Sequence, residues 1–231
     1  MRINKYLAKC GIGSRRKCDE YISSGKIKVD GKKVTDFSFN VNDDSYVQFN
    51  NKLVNKLENV IYMLNKPRGY ICTKNDSLGR KTIYDLLPDK LDLFSVGRLD
   101  YDTTGILLVT NDGDLCYKLT HPKFNVDKKY YVFTDKKLSN SDILSIKKGI
   151  KLDNEILKAN VKFLENINNG YFWDVVLTEG KNREIKRIFN FFDIKVLNLH
   201  RYEFSGLRMN ELKEGKFRKI SKKDFNRIIR K

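Results

Sequence analysis

The sequence predicts an α+β protein in which a mainly antiparallel, mixed sheet is preceded by a small α/β module. Strand-like segments outnumber the short helical segments, and the two kinds do not alternate in the regular βαβ order of a parallel sheet. The length of 231 residues suits one medium domain plus a small module. We expect the module at residues 1–55 and the larger domain at residues 60–231.

The charge balance is strongly basic, with 46 Lys and Arg against 29 Asp and Glu, and this net charge of +17 favours nucleic acid as the partner. Residues 1–33 hold ten basic and three acidic side chains, and residues 178–231 hold sixteen and seven. No apolar run approaches the roughly twenty residues of a membrane span. The N-terminus also lacks the apolar core of a secretory signal. We therefore expect a cytoplasmic protein without membrane contact.

The four cysteines occur singly, without a C-x-x-C pair, and lie next to apolar neighbours. We expect them to be reduced core residues, as is usual in the cytosol. Because only two histidines accompany them, no metal site is expected.

The N-terminal residues carry the pattern of a helix–loop–helix followed by a hairpin. Apolar residues at positions 3, 6, 7 and 10 mark one face of a short helix, and Ser14 is a suitable N-cap for a second helix. The second helix would begin with Arg15, Arg16 and Lys17, at the end where the helix dipole disfavours cations. The segment 26–34, with Asp-Gly at its centre, favours a hairpin with a type I′ turn.

This arrangement resembles the small RNA-binding module named after ribosomal protein S-four. The resemblance implies a basic face that grips structured RNA, whereas the alternative is a charged surface that is only solvated. The residues expected to contact RNA are Arg15, Arg16, Lys17, Lys26 and Lys32.

The larger domain is expected to follow a polar linker at residues 50–59. Strands are predicted at residues 60–64, 70–73, 106–109, 130–134, 172–177 and 196–199. Helices are predicted at residues 82–86, 142–150 and 185–192, and after an N-cap at Asp112. Pro67 and Gly69 favour a loop, so Lys66 and Arg68 are expected to lie on a loop rather than within a sheet.

The most informative segment is GRLDYDTTGILLVTNDG at residues 97–113. It places the carboxylate of Asp100 next to the permanent cation of Arg98, just before an apolar strand. An acid at the mouth of a buried strand is held still by the scaffold while the loop leaves it reachable. The sequence therefore marks Asp100 as a candidate reactive group.

The chain resembles the RsuA/RluB-type RNA pseudouridine synthases in three stretches that occur in the same order. They are LNKPRGY from residue 64, the segment 97–113, and LTEGKNREIKRIF from residue 177. The resemblance implies that Asp100 attacks a uridine of ribosomal RNA, that the N1–C1′ bond breaks, and that the uracil rejoins through C5. It implies no metal, nucleotide or redox cofactor, and we expect a monomer. Whether Asp100 attacks C1′, takes part in a glycal route, or adds to C6 stays open.

The same resemblance assigns the partners of Asp100. It places the basic residue that pairs with the aspartate at Lys186, where many relatives have arginine, so Arg183 and Arg187 stay open as alternatives. The strand DKKYYV places Tyr130 in the pocket, stacked on the base, and leaves open whether it assists removal of the C5 proton. Further expectations concern the RNA: Arg98 fills the space of the flipped base or holds a phosphate, and Lys66 and Arg68 steer the backbone.

Two other functions compete with this one. A non-catalytic RNA-binding or ribosome-assembly factor would be expected to lack the acid or its pocket partners, which are present. A hydrolase would use Asp100 and Asp102 as a carboxylate pair, but alternation along an extended chain would point the two side chains apart.

Overall fold

The computed structural model describes residues 1–88, 92–167 and 169–229. Within this range the chain divides into two compact units, one formed by Met1–Val60 together with residues 92–93 and the other by Ile61–Pro88 with the residues from Phe94 onward. No helix of the described residues is long and apolar enough to cross a membrane. All four cysteines are free, as predicted.

The first unit packs two helices against a four-stranded antiparallel sheet. Its elements are α1 (Ile3–Lys9), α2 (Arg15–Ser23), β1 (Ile27–Val29), β2 (Lys32–Val34), β3 (Val47–Phe49) and β4 (Lys52–Leu53). The Ser14 side chain accepts a hydrogen bond from the Lys17 backbone at 3.2 Å, as the predicted N-cap requires. Asp30 and Gly31 have φ values of 50° and 78°, which fits the predicted type I′ turn.

The polar segment 50–59 is only partly a linker, so this prediction was wrong over its first residues. Asn50 and Asn51 turn the chain from β3 into β4 with φ values of 48° and 63°. Asparagine tolerates this left-handed conformation better than most residues, so a hairpin forms where polarity alone favours a linker.

The second unit is built on a nine-stranded sheet with the order β11-β12-β8-β13-β7-β5-β15, to which β14 and β6 add at β13 and β7. The strands are β5 (Ile61–Lys66), β6 (Phe94–Ser95), β7 (Thr104–Thr110), β8 (Lys128–Thr134), β11 (Asn160–Ile167), β12 (Gly170–Leu177), β13 (Val196–Phe204), β14 (Leu207–Arg208) and β15 (Phe217–Lys219). β13 and β7 are parallel, and the other pairs are antiparallel. The predicted α+β class with a mainly antiparallel, mixed sheet is confirmed.

The remaining elements of this unit include a short hairpin, four helices and two 3₁₀ turns. They are α3 (Gly113–Thr120), α4 (Asn140–Lys148), β9 (Ile150–Leu152), β10 (Glu155–Leu157), α5 (Glu184–Phe191), α6 (Lys222–Ile229) and the turns Ile83–Leu86 and Pro122–Phe124. Asp112 caps α3 as predicted. The strand expected at residues 70–73 is wrong, because only Ile71 forms a bridge there, to Thr82.

Strand β7 lies inside the sheet, between β13 and β5, and is covered on both faces. Leu107 belongs to the apolar cluster around Trp173 and Phe189, whereas Ile106 and Leu108 belong to a second cluster on the other face. This explains why the strand is a continuous apolar run rather than an alternating one. The loop that precedes β7 is consequently anchored on a rigid strand.

Candidate active site

Asp100 lies on the loop between β6 and β7, where the backbone is fixed on both sides. Leu99 is 7% exposed, and its backbone N–H donates to the Cys72 Sγ at 3.4 Å. The Thr103 N–H donates to the Asp100 carbonyl at 3.1 Å and closes a turn. The Asp100 side chain remains 31% exposed and lines an open pocket. The loop therefore holds the carboxylate still while leaving it reachable.

Lys66 contacts this loop from the end of β5. The predictions that Lys66 lies on a loop and that it steers the RNA backbone were both wrong. It is the last residue of β5, is fully buried, and pairs with Gly105 of β7. Its Nζ donates to the carbonyls of Pro67 and Thr103, each at 2.9 Å. Burial lowers the pKa of Lys66 below its ordinary value. A side chain without solvent access cannot steer an RNA backbone, so Lys66 acts on the loop instead.

Lys186, near the start of α5, brings two carboxylates together. Its Nζ lies 3.6 Å from Asp100 Oδ2 and also donates a hydrogen bond to Asp102 Oδ1. Burial raises the pKa of Asp102, but the hydrogen bond and the charge of Lys186 outweigh it, and the net shift is downward. The expectation that Asp100 and Asp102 point apart was wrong, because residues 100–103 form a turn and not an extended strand.

Tyr130 lines the same pocket from β8 and is 7% exposed. Val132 is buried on its side of the sheet, whereas Tyr131 is 37% exposed on the opposite side, which confirms the predicted alternation. Arg201 lies opposite Tyr130 on β13, with its Nη1 at 3.5 Å from the phenol oxygen. Its Nε donates to the carbonyl of Ile106 at 2.7 Å, and its Nη2 has no hydrogen-bond partner among the described residues.

Lys128 and Arg201 are pocket residues that the sequence reasoning missed. Burial, and then the charge of Arg201, lower the pKa of Lys128 to about 8. Its Nζ donates to the Val126 carbonyl at 2.9 Å. The alternation of β8 already placed Lys128 on the side of Tyr130, so a signal for it was present. Arg201 had no such signal, because its partner strands are distant in sequence.

The three arginines expected near the pocket differ in position. Arg98 and Arg183 are exposed and line the pocket. Arg187 turns away, because it pairs with Glu155 at 2.7 Å and with Asp153 at 3.3 Å. Arg187 is therefore excluded as the partner of Asp100, and Lys186 holds that position. Arg68 is exposed beside Pro67.

The basic residues expected on the N-terminal unit are all exposed: Arg15, Arg16, Lys17, Lys26 and Lys32. Lys17 pairs with Glu20 at 2.5 Å. Lys17 and Lys26 each lie 5.3 Å from the ring centre of Tyr21.

Two family models match this chain: RNA pseudouridylate synthase over residues 60–191 and S4 domain over residues 1–45. The chain is 35% identical to ribosomal large subunit pseudouridine synthase B of Bacillus subtilis, covering 98% of this chain and 95% of that one. It is 33% identical to an RNA pseudouridine synthase of Rickettsia typhi, with coverages of 99% and 95%. A crystal structure of pseudouridylate synthase superimposes with a TM-score of 0.72 at 28% identity, covering 99% and 100%.

The chain therefore belongs to the RNA pseudouridine synthase family and is an enzyme of that class. Within the family it is of the RsuA/RluB type, with an N-terminal S4 domain.

Proposed function

We propose that this enzyme isomerises a uridine of ribosomal RNA with Asp100 as the nucleophile and without a cofactor. The observation that carries the proposal is the pocket in which Asp100 faces Lys186 at 3.6 Å and shares the lining with Tyr130. Ribosomal RNA is supported by the name of the Bacillus subtilis relative and by the S4 domain. The net charge of +17 suits a polyphosphate partner.

The reaction is an isomerisation, and its atoms balance within the substrate. The N1–C1′ bond breaks, a C5–C1′ bond forms, C5 loses a proton and N1 gains one. Neither an oxidant nor a group donor is required. A carboxylate suits the nucleophilic step because it is ionised at neutral pH, with a reference pKa of about 3.9, and can both form and leave a covalent adduct.

Each pocket residue has a distinct part in this proposal. Lys186 holds the rotamer of Asp100 and balances its charge, and Asp102 in turn positions Lys186. Tyr130 stacks on the uracil after the nucleotide has left its stack in the RNA, a step that costs a few kcal/mol. Arg98 and Arg183, exposed at the pocket, hold phosphates beside the target.

The exposed cations of the N-terminal unit grip structured RNA in this proposal. Arg15 and Arg16 lie in the first turn of α2, where a helix dipole gives them no stabilisation, so a phosphate contact explains them better. Such contacts supply affinity rather than sequence discrimination.

The test is to map pseudouridine in ribosomal RNA from cells with and without this protein, by carbodiimide-dependent stops of reverse transcription. The expected result is at least one stop that requires the protein and returns when the purified enzyme acts on the unmodified RNA. If no position in either subunit's RNA depends on the protein, ribosomal RNA is not its substrate.

A further inference from the structure

An exposed group of rings adjoins the pocket at the end of α3. Tyr117 and Phe124 are 48% and 38% exposed, and their ring centres lie 5.9 Å apart in an edge-to-face arrangement. The His121 ring lies 4.8 Å from that of Tyr117. The Nζ of Lys123 lies 5.1 Å from the Tyr117 ring and 4.8 Å from the Phe124 ring. We call these four residues the aromatic patch.

Folding does not explain the aromatic patch. The buried residues of α3 are Leu115 and Leu119, whereas Tyr117 is exposed, and the other three residues of the patch follow the end of the helix. Every residue from 120 to 125 is exposed. The backbone is nevertheless well defined, because the 3₁₀ turn ends at Asn125 in a left-handed conformation and the Lys123 N–H donates to His121 Nδ1 at 3.3 Å. Clustered, exposed rings on a fixed backbone form a surface on which a flat, apolar partner can pack.

The aromatic patch lies beside the pocket. Thr120, which separates Tyr117 from His121, lines the pocket together with Arg98 and Asp100. Gly97 is so near that a Cβ built there would lie 3.8 Å from the Thr120 methyl group. The aromatic patch therefore borders the pocket that is proposed to hold the uridine.

The chemistry of the patch matches an unpaired nucleobase. Aromatic rings stack on the flat face of any base, and a nearby ammonium group attracts the phosphate that follows it. The acidic residues of α3, Asp112 and Asp114, lie at the opposite end of the helix. We propose that the aromatic patch stacks an unpaired base next to the target uridine. The proposal rests on the proposed function and narrows its substrate to a loop, bulge or single-stranded segment.

The test combines Phe124→Ala with a hairpin RNA that carries the target uridine in its loop. Loss of one stacked base is expected to raise KM about 10-fold, while kcat changes less than about twofold. Phe124→Trp is expected to restore KM. Phe191→Ala is the matched control, because Phe191 is 49% exposed, packs edge-to-face on Phe192 and lies at the far end of α5.

Abasic substitutions at each position beside the target identify the stacked base. At one position, an abasic site should weaken the binding of RNA to the wild type about 10-fold. The same abasic site should leave the RNA affinity of Phe124→Ala unchanged, because the stacking contact is already lost in that variant. If the losses of affinity from the abasic site and from Phe124→Ala multiply at every position, no base stacks on the patch and the proposal is wrong. The same follows if Phe124→Ala has the KM and Kd of Phe191→Ala. Binding is measured as the Kd of the unreacted RNA, so this outcome is separate from a failure to form pseudouridine.

Discussion

The ammonium group of Lys186 lies 3.6 Å from the carboxylate of Asp100, and it also holds Asp102 through a hydrogen bond. A helix and a loop that are distant in sequence thus meet through one cation. Lysine provides three donors on a flexible stem and can serve two carboxylates at once, whereas the guanidinium of arginine favours a planar, bidentate contact. A lysine at this position can therefore contact Asp100 and Asp102 at the same time.

Replacing Lys186 should change the ionisation of Asp102. The pKa of Asp102 lies below its ordinary value because the hydrogen bond and charge of Lys186 outweigh burial. In Lys186→Met the two largest contributions that lower this pKa are lost, so the pKa of Asp102 should rise, and kcat/KM should fall at least about tenfold. Lys186→Arg keeps the charge but not the geometry that serves both carboxylates, so it should lose less activity than Lys186→Met and still be less active than the wild type. Carboxyl ¹³C titration by NMR measures the shift, and an Asp102 pKa that is unchanged in Lys186→Met would contradict this role.

Lys128 should make the stability of the protein depend on pH above neutrality. Its pKa is about 8 in the folded protein and 10.5 in the reference state, so the unfolded chain binds more protons between these values. The contribution of Lys128 to stability therefore increases as the pH rises from 8 to 10.5. The free energy of unfolding of the wild type should therefore increase relative to that of Lys128→Met across this window, so that the wild type becomes relatively more stable. Urea unfolding at pH 7, 8, 9 and 10 measures it, and a constant difference refutes the prediction.

Gly105 is required by the parallel pairing of β7 with β13. Its φ is +108°, and a Cβ there would lie 2.2 Å from the Arg201 carbonyl oxygen, which is backbone and cannot move aside. Gly105→Ala should lower the free energy of unfolding by about 3 kcal/mol or more. The control is Gly206→Ala, where φ is +77° and no described heavy atom lies within 4 Å of the added carbon. That variant should lose about 1 kcal/mol. Equal losses would mean that the close approach to Arg201 is unimportant.

Arg15 and Arg16 should contribute to the salt dependence of RNA binding. Removing one protein–phosphate interaction lowers the slope of log K against log salt by roughly 0.7 to 0.9. The double variant Arg15→Gln/Arg16→Gln should therefore bind less tightly and with a slope reduced by about 1 to 2. Lys147→Gln/Lys148→Gln removes the same charge from the exposed end of α4 and is the matched control. If both double variants keep the slope of the wild type, the S4 domain does not contact phosphates through these residues.

Much of the fold could be predicted because local signals agree with it. The caps at Ser14 and Asp112, the Asp-Gly hairpin and the apolar face of α5 each have a short-range cause. Strands β11 and β15 were missed, because both lie at edges of the sheet and contain many exposed polar residues. Edge strands lack the apolar pattern that marks buried ones.

The candidate site was predictable to the extent that its residues follow motifs. Asp100, Tyr130 and Lys186 were named from sequence, and the structure places all three at one pocket. Lys66 was wrongly assigned to a loop because Pro67 and Gly69 follow it. Strand β5 in fact includes Lys66 as its last residue, and the lysine is buried. The convergence of Asp100 and Asp102 was missed for a related reason, since alternation applies only to extended chain.

We propose that Asp100 is the nucleophile and that Asp102 only positions Lys186. Single-turnover formation of pseudouridine by Asp100→Asn, with Asp102→Asn as the matched control, tests it most directly. Asp100→Asn should form no detectable product and should bind RNA within about threefold of the wild type. Asp102→Asn should retain measurable turnover, because its amide oxygen still accepts a hydrogen bond from Lys186. Turnover by Asp100→Asn at a rate close to that of the wild type would contradict the proposal.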